Sequence, residues 1–257
     1  MKFTAVTINL FLCLFCFAQT QPLLSKVYLA EGLKTVTTQV AETKNIFDGS
    51  GAILSKHSIN ALTLFKGKSI DYSSEKTLER FIIVKSGPLS ISLNGSTALL
   101  DRGSVILVLP GDKFEVANKT ANPASFYEMT YQSIAPPDKE RSMKAGGSFM
   151  INWNDIAYKL HDNGKGGVRQ FFDKQTLMLS RFDIHVTTLN EGFKSHDPHT
   201  HKNEEIILMI EGNGEMQIGT EHQKANGGDI VFLNSMVLHN ITNIGKVPCL
   251  YFAIQWN

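Results

Sequence analysis

Cysteine is scarce in this chain: three among 257 residues, at positions 13, 16 and 249. Cys13 and Cys16 lie in an apolar run, Phe3 to Phe17, that follows Lys2 and gives way at Ala18 to the polar Gln19-Thr20-Gln21. A positive residue, a short apolar core and a small residue at its end read as a secretory signal peptide cut near Ala18. The run is short of the ~20 residues that span a bilayer, so residues 1–18 are expected to be removed rather than to anchor the chain. Bulky Phe15 before Cys16 argues against a lipid-modified cysteine. The mature chain, secreted or periplasmic, then keeps Cys249 alone. It forms no internal disulfide, and Cys249, in the run Cys249-Leu250-Tyr251-Phe252, is expected in the core.

A charge excess is also missing. Lys plus Arg is 25 and Asp plus Glu is 24, so nothing draws the chain to nucleic acid or an acidic membrane surface. No segment after the first twenty residues is apolar enough to span a membrane, and no membrane partner is expected after cleavage. With 42% hydrophobic and 19% charged residues the chain is too apolar to be disordered, and its length suits one large or two small domains. Specificity must come from a site.

Long helical patterns are few. What is present is short β-rich runs separated by turn residues. Ile82-Ile83-Val84, Leu89-Ser90-Ile91-Ser92-Leu93 and Val105-Ile106-Leu107-Val108 read as strands in the first half; Ile206 to Ile210, Glu215 to Ile218 and Ile230 to Leu233 do so in the second. At an offset of 125, Glu79-Arg80-Phe81-Ile82-Ile83 falls on Glu204-Glu205-Ile206-Ile207-Leu208. The same shift carries Gly87 to Gly212, Gly103 to Gly228 and Asn118 to Asn243, with the glycines expected at chain reversals. A gapless shift over some forty positions implies duplicated units.

The expected organisation is therefore all-β. It has a signal peptide (1–18), an N-terminal arm (19–47), one barrel (48–134), a linker (135–173) and a second barrel (174–257). The linker carries the polar, proline-bearing Ala135-Pro136-Pro137-Asp138-Lys139-Glu140-Arg141, and a short helix is expected over residues 156–160 with Asn154 or Asp155 as cap. Asn163-Gly164-Lys165-Gly166-Gly167 lacks phosphate-loop spacing and reads as a flexible loop.

The chemistry concentrates between Gly192 and Glu205. His199 and His201 alternate, so in an extended chain both imidazoles face one side. Glu205 follows at the start of the next apolar run, and His239 stands in another alternating segment, Val237-Leu238-His239-Asn240-Ile241. Three imidazoles and a carboxylate suit one divalent transition metal: Mn, Fe, Co, Ni, Cu or Zn. Four protein ligands in a barrel mouth leave room for water or substrate.

These residues resemble the cupin superfamily. Its first motif is matched by Gly192, His199-Thr200-His201, Glu205 and Gly212, and its second by Gly228, Asn234-Ser235-Met236, His239 and Asn243. Six residues rather than five separate Gly192 from His199, and Asn234 and Met236 stand where the family has proline and glycine. The resemblance covers most of the second half, and the repeat carries it to the first. It implies tandem jelly-roll (double-stranded β-helix) barrels, with His199, His201, Glu205 and His239 as metal ligands. At the offset of 125 these positions become Ser74, Lys76, Arg80 and Phe114, so the first barrel is expected to be structural, with Phe114 filling its cavity.

Other polar residues read more plainly. Arg181, Asp183 and His185 alternate with Phe182, Ile184 and Val186 and are taken as a solvated strand face. His57, His161 and His222 are expected at the surface or in turns. Glu204 should point away from Glu205. His196 and Gln255 are open candidates for the cavity. The resemblance implies a secreted metal-dependent enzyme on a small polar metabolite, of dioxygenase, isomerase or hydrolase type. The alternative is a non-enzymatic sugar- or small-molecule-binding protein with a structural metal. A homodimer is compatible with either. The layout is similar to ureidoglycine aminohydrolases, but His199 and His239 stand where that family has glutamate and glutamine, which argues against that activity.

Overall fold

The computed structural model describes residues 21–257; the expected signal peptide lies outside them. The architecture is two sheets per half. In the second half a seven-stranded sheet runs in the order Lys26–Tyr28, Ile230–Leu233, Glu204–Glu211, Cys249–Trp256, Phe182–Leu189, Gly166–Lys174, Lys159–Leu160. It packs on a three-stranded sheet of Glu221–Asn226, Asn213–Ile218 and His239–Asn243. The first half repeats this: Phe149–Ile151, Val105–Val108, Glu79–Ser86, Ala124–Ser133, Leu54–Leu64, Ala41–Gly49, Thr35–Thr37, against a four-stranded sheet. Every pairing in the large sheets is antiparallel.

Sequence alternation explains how the layers sit. In Glu204–Glu211, Ile206 and Leu208 join a core that also contains Phe81 and Ile83, while Ile207 and Met209 join the interior of the second barrel. In Glu79–Ser86, Ile82 and Val84 fill the first barrel. The two large sheets thus pack face to face, and each is buried on both sides. That is why these strands read as continuous apolar runs rather than alternating ones.

Each half accepts a strand from the segment before the other half. Lys26–Tyr28 precedes the first barrel but pairs with Ile230–Leu233 of the second. Phe149–Ile151 precedes the second but pairs with Val105–Val108 of the first. The sheets therefore extend beyond the 48–134 and 174–257 spans read from sequence: the second reaches back to Lys159, the first to Thr35.

The helix expected over residues 156–160 is not there; Lys159–Leu160 is a strand paired with Gly167 and Val168. Its backbone is claimed by the neighbouring strand, and His161 N continues the pairing by donating to Gly166 O at 2.9 Å. The helix is Lys139–Ala145, inside the stretch read as polar linker. Its signals are local: the Asp138 side chain accepts from Arg141 N at 2.9 Å, Lys144 pairs with Glu140 one turn back, and Gly146 closes it at φ +99°.

The repeated asparagines have the same job. Asn118 Nδ2 donates to Leu64 O and Asn122 O; Asn243 Nδ2 donates to Leu189 O and Val247 O. Each is buried and satisfies carbonyls that a turn would otherwise leave unpaired. Gly103 and Gly228 share positive φ, but Gly87, followed by Pro88, lacks the +80° of Gly212. Among the described residues no helix is long and apolar enough to cross a membrane.

Candidate metal centre

The strand Glu204–Glu211 turns Glu204 to the inter-barrel face and Glu205 into the second barrel, as alternation requires. Glu204 accepts from Ala52 N at 2.8 Å and Trp256 Nε1 at 3.1 Å. Opposite Glu205, the main chains of His199 and His239 exchange two hydrogen bonds, 3.2 and 3.0 Å. Met236 N donates to His201 O at 2.8 Å, tying the two motif segments together.

These ladders gather the side chains. One ring nitrogen from each of His199, His201 and His239 falls within 4.8 Å of the others. Glu205 Oε2 lies 3.2 Å from His201 Nε2 and 3.1 Å from His239 Nε2. His199 is exposed, His201 half-buried and His239 buried, so the cluster spans the wall from rim to interior.

The donor set fits a cation on its own chemistry. His201 Nδ1 is 2.9 Å from Asn203 O and His239 Nδ1 2.8 Å from Val237 O. A carbonyl can only accept, so in the neutral rings these Nδ1 atoms carry the protons and each Nε2 presents a lone pair. Both lone pairs then face one carboxylate oxygen, an arrangement that repels unless positive charge lies between. His239 Nε2 is moreover buried without a hydrogen-bond partner. Backbone carbonyls that orient ligating imidazoles in this way are the usual outer shell of a metal site. Gln255 Nε2 donates to the other carboxylate oxygen, Glu205 Oε1, at 3.2 Å.

Beside the cluster lies a cavity of about 300 Å³. His196 and Gln255 line it, as does His185. The strand carrying His185 is therefore not a solvated face. Phe182, Ile184 and Val186 go to the inter-barrel core, and Asp183, His185 and Thr187 turn inward because the sheet is covered on both sides. Asp183 is buried, held by Gln170 Nε2 and Arg181 at 2.8 Å each. The alternation was visible in sequence; which face met solvent was not.

His161 opens a turn, as expected, its carbonyl accepting from Gly164 N at 3.2 Å, and it also lines the cavity. His57 departs from expectation: it is wholly buried between Phe47 and Trp256, ring centroids 5.1 Å from each. His222 is exposed beside Glu215, as expected of a surface residue.

The first barrel holds no such set among its described residues. Phe114 is buried and stacks on Tyr72 at 5.6 Å. Arg80 sits over the same ring at 4.0 Å and pairs with buried Glu128 at 2.8 Å. Aromatic bulk and a closed ion pair fill the space that the second barrel leaves for ligands.

A two-barrel β protein with one histidine-lined barrel mouth is the class that this geometry defines. The cupin domain family model matches residues 185–255, which include all three clustered histidines and Glu205. A search of curated proteins gives no match. Among solved structures, protein Ylba from E. coli is similar at 15% identity and TM-score 0.70, covering 90% of each chain. Lactobacillus farciminis oxalate decarboxylase is similar at 10% identity and TM-score 0.70, covering 93% of this chain and 88% of that one. Hazelnut (Corylus avellana) vicilin is similar at 10% and 0.67, covering 90% and 85%. At these identities the likeness speaks for fold, in which enzymes and a seed protein alike share the doubled barrel. Residues 185–255 thus match a cupin domain, and the chain as a whole has the fold of the two-barrel cupins.

Proposed function

We propose that the second barrel is a metal-dependent enzyme site for a small polar metabolite, with His199, His201, Glu205 and His239 as ligands of one divalent transition metal. The observation that carries this reading is the convergence of three imidazole nitrogens and one buried carboxylate oxygen beside an accessible cavity. A divalent metal held by these residues would supply Lewis acidity or a site for dioxygen. The chain's own residues do the rest: Asn203 O and Val237 O fix the imidazole tautomers, Gln255 orients Glu205, and the apolar interior of the barrel keeps water scarce. His185 and His196 are the cavity groups placed to move a proton. Oxalate decarboxylase, a protein of the same fold, is one example of small-acid chemistry in such a barrel.

The test is metal analysis of the purified protein, followed by screens for oxygen uptake and small-molecule turnover with parent and His201→Ala proteins. Turnover that disappears with the metal supports the reading. A variant that loses metal and keeps its activity would make the metal structural and the protein a binding cupin.

A further inference from the structure

The segment read from sequence as a flexible loop is pinned over the metal cavity. Residues 161–165 connect Lys159–Leu160 to Gly166–Lys174, and the strand pair locks both ends. Asn190 N donates to Lys165 O at 2.8 Å, and Asn190 Nδ2 donates to Gly164 O at 2.9 Å. Gly166, at φ +129°, lies so close to the strand Phe182–Leu189 that a Cβ there would meet Thr188 O at 1.9 Å. Only glycine allows that approach.

The consequence is a fixed ammonium. Lys165 lines the cavity, is half-buried, and donates from Nζ to Ser195 O at 2.5 Å. Among the described residues no carboxylate lies within ion-pair distance of it; the exposed lysines Lys144 and Lys246, by contrast, both have one. An ammonium has three protons to donate, and one carbonyl uses one of them. His161, His185 and His196 stand around the cavity, and its sole carboxylate, Glu205, is already engaged by His201, His239 and Gln255. Ile207, Met216, Ile241 and Ala253 form an apolar portion of the wall. A cavity of about 300 Å³ is at the small end of ligand sites.

We infer that Lys165 is the anion anchor of this cavity and that its ligand is a small carboxylate with a short hydrocarbon remainder. The inference deepens the metal-enzyme reading and rests on it for the location of the site. The carboxylate accepts from the free protons of Lys165 Nζ, and the remainder lies on the apolar wall. Because the hairpin holds Lys165 in place beforehand, little backbone ordering is lost on binding. Lys165 is a binding residue in this account, not a proton carrier.

The test compares two isosteric probes, 2-hydroxybutanoate and its neutral amide 2-hydroxybutanamide, by calorimetric titration of the purified protein, with metal content measured on the same samples. The acid should bind at least about tenfold more tightly than the amide, as a charge-assisted contact requires. Lys165→Met should abolish that preference and leave metal content unchanged, while Lys165→Arg should keep it. Equal binding of acid and amide, no binding of the acid, or an unchanged preference in Lys165→Met would overturn the inference. Loss of the metal site itself would show separately, as a parent protein without bound metal.

Discussion

Glu79 and Glu204, equivalent positions of the two halves, each reach across the junction to cap the other half's chain. Glu204 accepts from Ala52 N, and Glu79 Oε2 accepts from Met178 N at 2.9 Å and Thr176 Oγ1 at 3.0 Å. Both are buried, and burial pushes both carboxyls upward; Glu79, despite those hydrogen bonds, rises from an ordinary 4.5 to about 7. A raised folded-state pKa means that the stability contribution is complete below 4.5 and is lost as pH rises through 7.

Replacing Glu79 by Gln keeps an acceptor for Met178 N and removes the titration. The stability of Glu79→Gln relative to the parent should therefore improve steadily from pH 5 to pH 8, by up to about 3 kcal/mol. Urea unfolding at several pH values measures it. A difference that stays flat with pH would show that Glu79 does not titrate in this range.

His57 has the opposite sign. It is enclosed by aromatic rings, neither ring nitrogen has a partner, and burial depresses it from 6.5 to about 3. Its contribution is complete above 6.5 and is lost as pH falls toward 3. The other half has Phe182 at the equivalent place, packed in the same kind of aromatic nest. His57→Phe should thus stabilise the protein, with a gain at pH 4.5 about 2–3 kcal/mol larger than at pH 8. Thermal unfolding at the two pH values checks it; an equal or smaller gain at acid pH would contradict the assignment.

Met236 takes φ +64° where cupins have glycine, and its side chain is 58% exposed, so it gains little from burial. The turn keeps its shape through Met236 N to His201 O and through Asn234, which holds the N-terminal arm at Leu23 O and Ser25 Oγ. Met236→Gly should relieve the left-handed conformation and raise stability by about 0.5–1 kcal/mol. The urea midpoint reads this out, and a lower midpoint would mean that the methionine side chain contributes more than its exposure suggests.

Much of this was legible in the sequence. The offset of 125 located the doubled fold because duplicated strands keep their turn residues, and His199, His201, Glu205 and His239 were readable because one-residue alternation fixes a face. Two kinds of feature were not. The helix Lys139–Ala145 is marked by its caps and one ion pair, polar signals that look like linker composition. His57, His161, Lys165 and His185 depend on which second layer covers their strand or hairpin, and no local pattern encodes that. Burial of both faces of the large sheets placed His57 at the junction and turned His185 inward.

In the proposed reading the second barrel alone holds a metal, through the clustered histidines and Glu205. The most direct measurement is the metal content of purified His201→Ala beside the parent, with folding followed by circular dichroism. The parent should carry roughly one divalent transition metal per chain. The variant should carry almost none yet stay folded, because each barrel and the junction bury cores of their own. Its stability should fall by about 3–4 kcal/mol relative to the parent at metal concentrations 100 to 1,000 times Kd, and a chelator should lower the parent by the same amount and leave the variant unmoved. A folded His201→Ala protein with the parent's full metal content would contradict the account.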